Sequence, residues 1–521
     1  MSLAPSTPRR GRAARLAERA HRKTLDQRPV RPGLVGGRYQ PLTQSEMERI
    51  HHTALELMEQ VGFADAIPSM IELVTSQGGW LNDQGRLCYP RSLVEDIIAH
   101  AQRRFVMPGF SPEHDMEVGG GRVHTGTGGA APMVLDFHTG HYRNSRLVDV
   151  YDLARLVDTL DNIHYFWRPV VARDTSTTLD LDLNTAYACL TGTTKHIGVS
   201  YVNGKNCRAA LALFDMALGG EGRFLERPFC SISCCHVVPP LRFAAESCEA
   251  LEAAARGGMC LTLLSAAQSG ATAPAALAGT IVQAIAETLA GLVFVYLIDP
   301  LCRANLGTWP FVSDLRTGSM TAGSPELGLV VAGCAQMARF YDLPGSVAAG
   351  MTDSKLPDAQ AGAEKAYTLA LAANAGSTLI MESAGMHASL LGASYESYVI
   401  DNDILGAVQR TVRGIEVTDE TLSFDVIKNV VNGEGHFLGQ PQTIGRMETD
   451  YVYPSIGDRN SPAKWAEQGA TDARARAREQ VRQTLATHYP GHIDRALDDK
   501  IRSAFNILLP RDAMQPGSRW A

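Results

Sequence analysis

Phe229-Cys230-Ser231-Ile232-Ser233-Cys234-Cys235-His236-Val237-Val238 and, roughly 30 residues on, Cys260-Leu261-Thr262-Leu263-Leu264-Ser265-Ala266 are short apolar runs bounded by a helical stretch. Strands covered on both faces read as continuous apolar runs rather than as alternating ones. Working outward, the same beat returns around Met133–Leu135, His164–Val171, His196–Val202, Leu292–Ile298, Ser346–Met351 and Thr378–Glu382. Eight strand–helix units of this size close into a (β/α)8 TIM barrel, an α/β fold whose chemistry lies in the loops that follow the strands.

The helices between these strands carry their own signals. Leu147, Val150, Leu153, Val157 and Leu160 repeat at helical spacing. Ser324-Pro325-Glu326 reads as a helix start and Gly376 as a helix stop. The interval between Ile298 and Ser346 is longer than the rest, so Arg303–Gly323 reads as an insertion, either a lid or a packed surface loop. These readings give four regions: a mobile basic tail over residues 1–40, with Arg9, Arg10, Arg12, Arg15, Arg19, Arg22 and Lys23; a mostly helical N-terminal extension over 41–120; the barrel over 121–400; and a helical C-terminal extension packed on the barrel over 401–521.

A chain of 521 residues, 45% hydrophobic, can bury a large core. A net charge of −7 argues against nucleic acid as a partner and suits a cationic ligand. No apolar run is read as approaching the roughly 20 residues that span a bilayer, and the start lacks the apolar region of a signal peptide. No membrane association is expected. The ten cysteines never form Cys-x-x-Cys and read as reduced thiols in a cytoplasmic protein.

Four segments beside the strands are rich in small and polar residues: Gly350–Gly362, Glu382–His387, Gln268–Thr272 and His124–Ala130. Side chains at the C-terminal ends of barrel strands share one mouth. Asp353 and Glu382 lie immediately at strand ends and are the candidate catalytic acids, with Thr352, Ser354, Gln268 and His387 beside them. Asp358 and Thr272 read better as helix caps. Aromatic faces stabilise a quaternary cation by roughly 0.5–2 kcal/mol each. Tyr201, Trp309 and Phe311 are the candidates for that contact, while Tyr165, Phe166 and Trp167 read as core. Cys230-x3-Cys234-Cys235-His236 has soft-metal donors, but Cys230, Ile232 and Cys234 fall on one strand face and Cys235 on the other, so packing is favoured and no bound metal is expected. Gly126-x-Gly128-Gly129 is a weak phosphate signal, and no Gly-x-Ser-x-Gly elbow is present.

Longer motifs resemble one family. Leu55-Glu56-Leu57-Met58-Glu59-Gln60-Val61-Gly62, Asp136-x-x-Thr139-Gly140-x-x-Arg143, Gly350-Met351-Thr352-Asp353-Ser354-Lys355-x-Pro357-Asp358-x-Gln360-Ala361-Gly362-x-Glu364-Lys365-Ala366, Gly433-x-Gly435-His436-Phe437-Leu438 and Tyr453-Pro454…Asp458-Arg459…Trp465 are similar to the trimethylamine methyltransferase (MttB) superfamily over roughly residues 40–510. The resemblance implies a (β/α)8 barrel and a methyl group passed to the corrinoid (cobalamin) of a separate cognate corrinoid protein, with a homo-oligomer as the working form. The founding trimethylamine enzymes carry pyrrolysine in or near the stretch matching Thr352–Asp358. Here that stretch holds standard residues only, as in the family's glycine betaine branch. Relatives are also rich in histidine after Gly-His-Phe-Leu, where this chain has Gly439-Gln440-Pro441-Gln442-Thr443, which counts against a metal or proton-transfer role there. The expected substrate is therefore a quaternary amine, with glycine betaine leading. A sulfonium or methoxy demethylase, or a silent betaine-binding protein on the same barrel, are the other readings.

Overall fold

The computed structural model describes residue 28, residues 31–517 and residues 519–520. The basic cluster from Arg9 to Lys23 lies outside the described residues. Eight parallel strands alternate with eight helices. Numbering the barrel elements alone, the strands are β1 (Arg122–Thr125), β2 (Tyr165–Trp167), β3 (His196–Val199), β4 (Cys230–Cys234), β5 (Cys260–Ser265), β6 (Ala304–Thr308), β7 (Gly345–Ala348) and β8 (Leu379–Met381). The helices are α1 (Leu147–Asp158), α2 (Thr178–Gly192), α3 (Gly204–Ala217), α4 (Ala245–Arg256), α5 (Leu277–Ile298), α6 (Pro325–Phe340), α7 (Ala359–Ala375) and α8 (Tyr395–Arg413).

Hydrogen-bonded neighbours run β1, β8, β7, β6, β5, β4, β3, β2, and Leu34–Val35 adds an antiparallel strand to β1. The ring closes where Gly126 bridges Tyr165 in parallel and the His164 N–H donates to the Thr125 carbonyl at 2.7 Å. The helix boundaries have local causes. Ser324 Oγ accepts the Leu327 N–H ahead of Pro325, Asp358 Oδ1 accepts the Ala361 N–H, and Gly376 ends α7 in the left-handed region. Thr272 is different: its hydroxyl accepts the Gln268 N–H within a turn and caps no helix.

Two of the expected strand positions and the expected insertion are corrected. Met133–Leu135 is not a barrel strand; it pairs with Gly392–Ser394 and Tyr142–Asn144 in a side sheet. Leu292–Ile298 is the end of helix α5, which is buried along most of its length beneath the helices Gln44–Glu56 and Pro68–Ser76. A helix buried all round loses its polar face, and a short apolar run then cannot be told from a strand. At 22 residues and mean hydropathy 2.0, α5 is also long and apolar enough to cross a membrane, contrary to the expectation of no such run, and 78% of that stretch is buried in the protein. Finally, Arg303–Gly323 is no insertion, because it contains β6 itself.

The missed strands, β1 and β6, are polar because the barrel interior is polar. Gln409 of α8 donates to Thr125 Oγ1, so Thr125 faces outward and its neighbours His124 and Gly126 face inward. Register then places Tyr165 and Trp167, His196 and Gly198, Ser231 and Ser233, Thr262, Asn305 and Gly307, and Ser346 inside. These groups bond to one another: His196 Nε2 with Ser231 Oγ at 2.6 Å, Asn305 Nδ2 to Thr262 Oγ1 at 2.7 Å, and Tyr165 Oη to the Ile380 carbonyl at 2.8 Å. Paired in this way, polar side chains fill a core without the desolvation penalty of unpaired ones.

Residues 32–413 and 454–521 form one compact unit, and residues 414–453 belong to another. Within the latter, helices Phe424–Val431 and Pro441–Arg446 are tied by Ser423 to Gln442 and by Arg446 to Glu420 and Asp450.

Candidate active site

The side chain that stands out at the barrel mouth is Glu382, one residue beyond β8. It is 3% exposed, and its Oε2 has no hydrogen-bond partner. With no neighbouring cation to offset it, burial pushes its pKa up to about 8. The backbone that presents it is strained, with φ +59° at a non-glycine residue. The turn is held from both sides: the Ser383 N–H and hydroxyl donate to the Gly126 carbonyl at 3.0 and 2.7 Å, and the Gly385 N–H donates to Asp401 at 2.7 Å. Asp401 is itself paired with Lys365 at 2.7 Å, both almost fully buried. At Gly385, φ is +83° and an added Cβ would stand 2.1 Å from the Tyr398 ring, so only glycine fits there.

Around this acid the mouth is built from strand ends. Gly128, beyond β1, lies directly against Glu382, where an added Cβ would sit 3.3 Å from its Cγ. The Trp167 indole lies flat on Gly198, which leaves no room for a Cβ there, and its Nε1 is buried without a partner. Inward-facing Ser233 and Cys235 on the β4 side are solvent-accessible. Cys235 is exposed, yet its thiol is pushed up to about 11, first by the surrounding walls and then by Glu382, with Arg168 opposing. It is a thiol at rest, not a thiolate nucleophile.

The residues singled out from the sequence divide into several groups. Glu382 is in the mouth. Trp309 directly follows β6; it is 4% exposed, and its indole N–H donates to Ser346 Oγ at 3.1 Å inside the barrel. Asp353 is fully engaged elsewhere, accepting from Thr321 Oγ1 at 2.5 Å, the Ala322 N–H at 2.7 Å and Ser389 Oγ at 2.5 Å. Beside it, Thr352 donates to Glu364 at 2.5 Å, Ser354 donates to the Leu356 carbonyl at 3.1 Å, and His387 binds Ser397 Oγ at 2.6 Å. These four form a hydrogen-bonded frame over β7 and β8, and burial holds the His387 ring neutral.

Gln268 and Phe311 pair in a small three-stranded sheet formed by the segments after β5 and β6, where Gln268 donates to Ser313 Oγ at 2.8 Å. Tyr201 is corrected: its ring lies among Cys230, Cys207 and Asp182 on the helical side of the sheet, away from the mouth. The cysteine cluster disperses as well. Cys234 donates to the Ser247 carbonyl and His236 Nε2 pairs with the Glu287 carbonyl, and no set of three ligating side chains converges among the described residues.

A family model described as trimethylamine methyltransferase (MTTB) matches residues 8–507. The chain belongs to the trimethylamine methyltransferase family. A trimethylamine methyltransferase of Desulfitobacterium hafniense is 32% identical over 474 residues, covering 90% of this chain and 93% of that one. A glycine betaine methyltransferase of the same species is 29% identical, covering 89% and 96%. The crystal structure of a hydroxylamine complex of MtmB superposes with a TM-score of 0.50 at 13% identity, covering 85% of this chain and 89% of that one, which supports the shared fold.

In this member of the family, two mouth residues escaped the sequence reading: Trp167 and Cys235. Trp167 was masked by two aromatic neighbours that resemble core.

Proposed function

We propose that this member of the methyltransferase family takes a methyl group from a quaternary amine, with glycine betaine or a related betaine leading, and passes it to the Co(I) corrinoid of a separate protein. The observation that carries the reading is Glu382, an unpaired carboxyl sealed at the mouth of the barrel. A buried acid without a partner is costly to ionise, and a quaternary cation beside it offsets that cost. The Trp167 face supplies short-range attraction of roughly 0.5–2 kcal/mol.

The chemistry makes modest demands on the chain. When the C–N bond of a quaternary amine breaks, the electron pair stays on nitrogen and a neutral tertiary amine leaves, so no proton is needed. A neutral tertiary amine would have to leave as an amide anion unless first protonated or captured. The standard residues across Thr352–Asp358 offer no such capture group. The acceptor supplies a low-valent cobalt nucleophile. The protein's task is to hold the cation, aim one methyl outward at the barrel mouth and limit water. Identities of 32% and 29% to the trimethylamine and betaine enzymes are too close to choose between them, so the reading rests on the site.

The test is methylation of a Co(I) corrinoid protein, followed spectroscopically, with glycine betaine, proline betaine, carnitine, trimethylamine and a sulfonium compound as donors. Transfer from a betaine, with little from trimethylamine, is expected. Robust transfer from trimethylamine and none from any betaine overturns the reading.

A further inference from the structure

We propose that the basic segment Arg9–Lys23 of the same chain docks on the exposed apolar, acidic surface of residues 414–453 and completes that unit.

Residues 414–453 are folded without a core. Helix Phe424–Val431 carries Phe424, Ile427 and Val431 on one side, and all three are exposed, Phe424 at 73% and Val431 at 72%. Leu422, Leu438 and Ile444 on the flanking segments are exposed as well. Of the described residues 414–453, Val430 is the one that is buried. Helices of eight and six residues do not hold themselves in water. A segment of about 40 residues needs a disulfide, a metal or a partner surface to stay folded. This one contains no cysteine, and no metal-ligating group is found among the described residues. Its own ties, Arg446 to Glu420 and to Asp450, lie at the surface, where such pairs contribute little. A partner surface is what is left.

Charge identifies the partner. Residues 414–453 hold seven carboxylates against two cations, Lys428 and Arg446, which accounts for most of the chain's net charge of −7. Residues 1–27 carry the reverse, seven cations from Arg9 to Lys23 against Glu18 and Asp26. At helical spacing, Arg12, Arg15, Arg19 and Arg22 fall on one side and Ala13, Leu16, Ala17 and Ala20 on the side beside it. The exposed unit calls for apolar contact and positive charge together, and this segment offers both.

Connectivity favours the same chain. Leu34–Val35 packs against α8. The Gly37 N–H donates to the Asn374 carbonyl at 2.8 Å, and Asn374 Nδ2 donates to Thr411 Oγ1 at 3.0 Å in the last turn of α8. Residues 414–453 follow α8 directly, so the basic segment and the unit start from one place. Residues 1–27 reach about 40 Å even when wound as a helix. Tethering gives the segment a local concentration on the order of millimolar, above that of a second copy in dilute solution.

The experiment is amine-directed cross-linking of the full-length chain, with an equal mixture of isotopically light and heavy copies mapped by mass spectrometry. Lys23 is the one lysine of residues 1–31, and Lys428 the one of residues 414–453. A Lys23–Lys428 link within single chains is expected, weakened by at least about fivefold in the variant carrying Arg12→Glu, Arg15→Glu, Arg19→Glu and Arg22→Glu. Hydrogen exchange on the same samples should show the Phe424–Val431 amides exchanging about tenfold faster in that variant, with β5 unchanged. Should the variant not fold, which β5 reports, Leu16→Asp alters one apolar side chain of the segment and is expected to act in the same direction. Links between light and heavy copies only mean that a second chain covers the surface, and overturn the proposal. Linkage of Lys23 to barrel lysines in place of Lys428 overturns it too. So does exchange at Phe424–Val431 that neither variant changes.

Discussion

Gly128 and Glu382 face each other beyond the paired ends of β1 and β8: a Cβ on residue 128 would meet Glu382 N at 3.2 Å and Cγ at 3.3 Å. The missing side chain on one strand end makes the room in which the acid on the next is held. Glu287 is the comparison. It is fully buried in α5, yet its carboxylate accepts from Ser265 Oγ at 2.5 Å and from the Leu241 N–H and Gln283 Nε2 at 3.0 Å each. One glutamate is closed by the protein; the other is left for something else to close.

Glu382→Gln should abolish most methyl transfer while raising the stability of the ligand-free protein at alkaline pH. The sign follows from linkage. The folded pKa of about 8 lies above the unfolded value near 4.5, so the folded state holds the extra proton between these values and loses stability as pH rises through the window. The melting temperature of Glu382→Gln should exceed that of the wild type by about 3 °C or more at pH 9 and by little at pH 5. A constant gap across that range would count against the raised pKa.

Gly128→Ala should impair turnover more than folding. The backbone of Gly128 is not in the left-handed region, but the new methyl must displace the Glu382 side chain by a few tenths of an ångström. We expect a loss of at least about tenfold in kcat/KM with a stability change below about 1.5 kcal/mol. Kinetics and urea titration on the same preparation separate the two.

Asp353→Asn should act on stability. Asp353 accepts from two hydroxyls and one backbone N–H on two segments, Thr321–Ala322 and Ser389, and an amide cannot serve all three as an acceptor. A cost of about 1–3 kcal/mol is expected, read from the denaturation midpoint. Unchanged stability with lost activity would return Asp353 to the list of reacting groups.

Lys365→Met should be among the most damaging single changes, at about 3–5 kcal/mol, because it strands Asp401 as an unpaired buried charge. The double change Lys365→Met, Asp401→Leu recovers part of that loss, but it also removes the acceptor of the Gly385 N–H behind Glu382. Stability should therefore return further than activity does.

Acid should loosen the fold before alkali does at the interior histidines. Burial holds His124 and His196 near a pKa of about 4, below the unfolded value of 6.5. The unfolded state binds more protons between these values, so stability is full above pH 6.5 and falls toward pH 4. The urea midpoint should drop from pH 7 to pH 5, and His196→Gln should flatten part of that slope.

The sequence by itself determined the barrel and the family. Apolar strands such as β5 are continuous because both their faces are covered, and the spacing between them is the length of one strand–helix unit. It also set Glu382 at the end of a strand, and the structure has it one residue beyond β8. It misassigned β1 and β6 because hydropathy reports how apolar a segment is, whereas this barrel interior carries polar side chains, several of them paired across strands, and it read the end of α5 as a strand because a helix buried all round shows no polar face. Only the tertiary structure decided which of two strand-end acids is free. Asp353 and Glu382 look alike in sequence, but three donors from distant segments converge on the first and none reaches the second Oε2. A hydrogen bond that goes unmade depends on every chain segment nearby at once, and local sequence does not encode it.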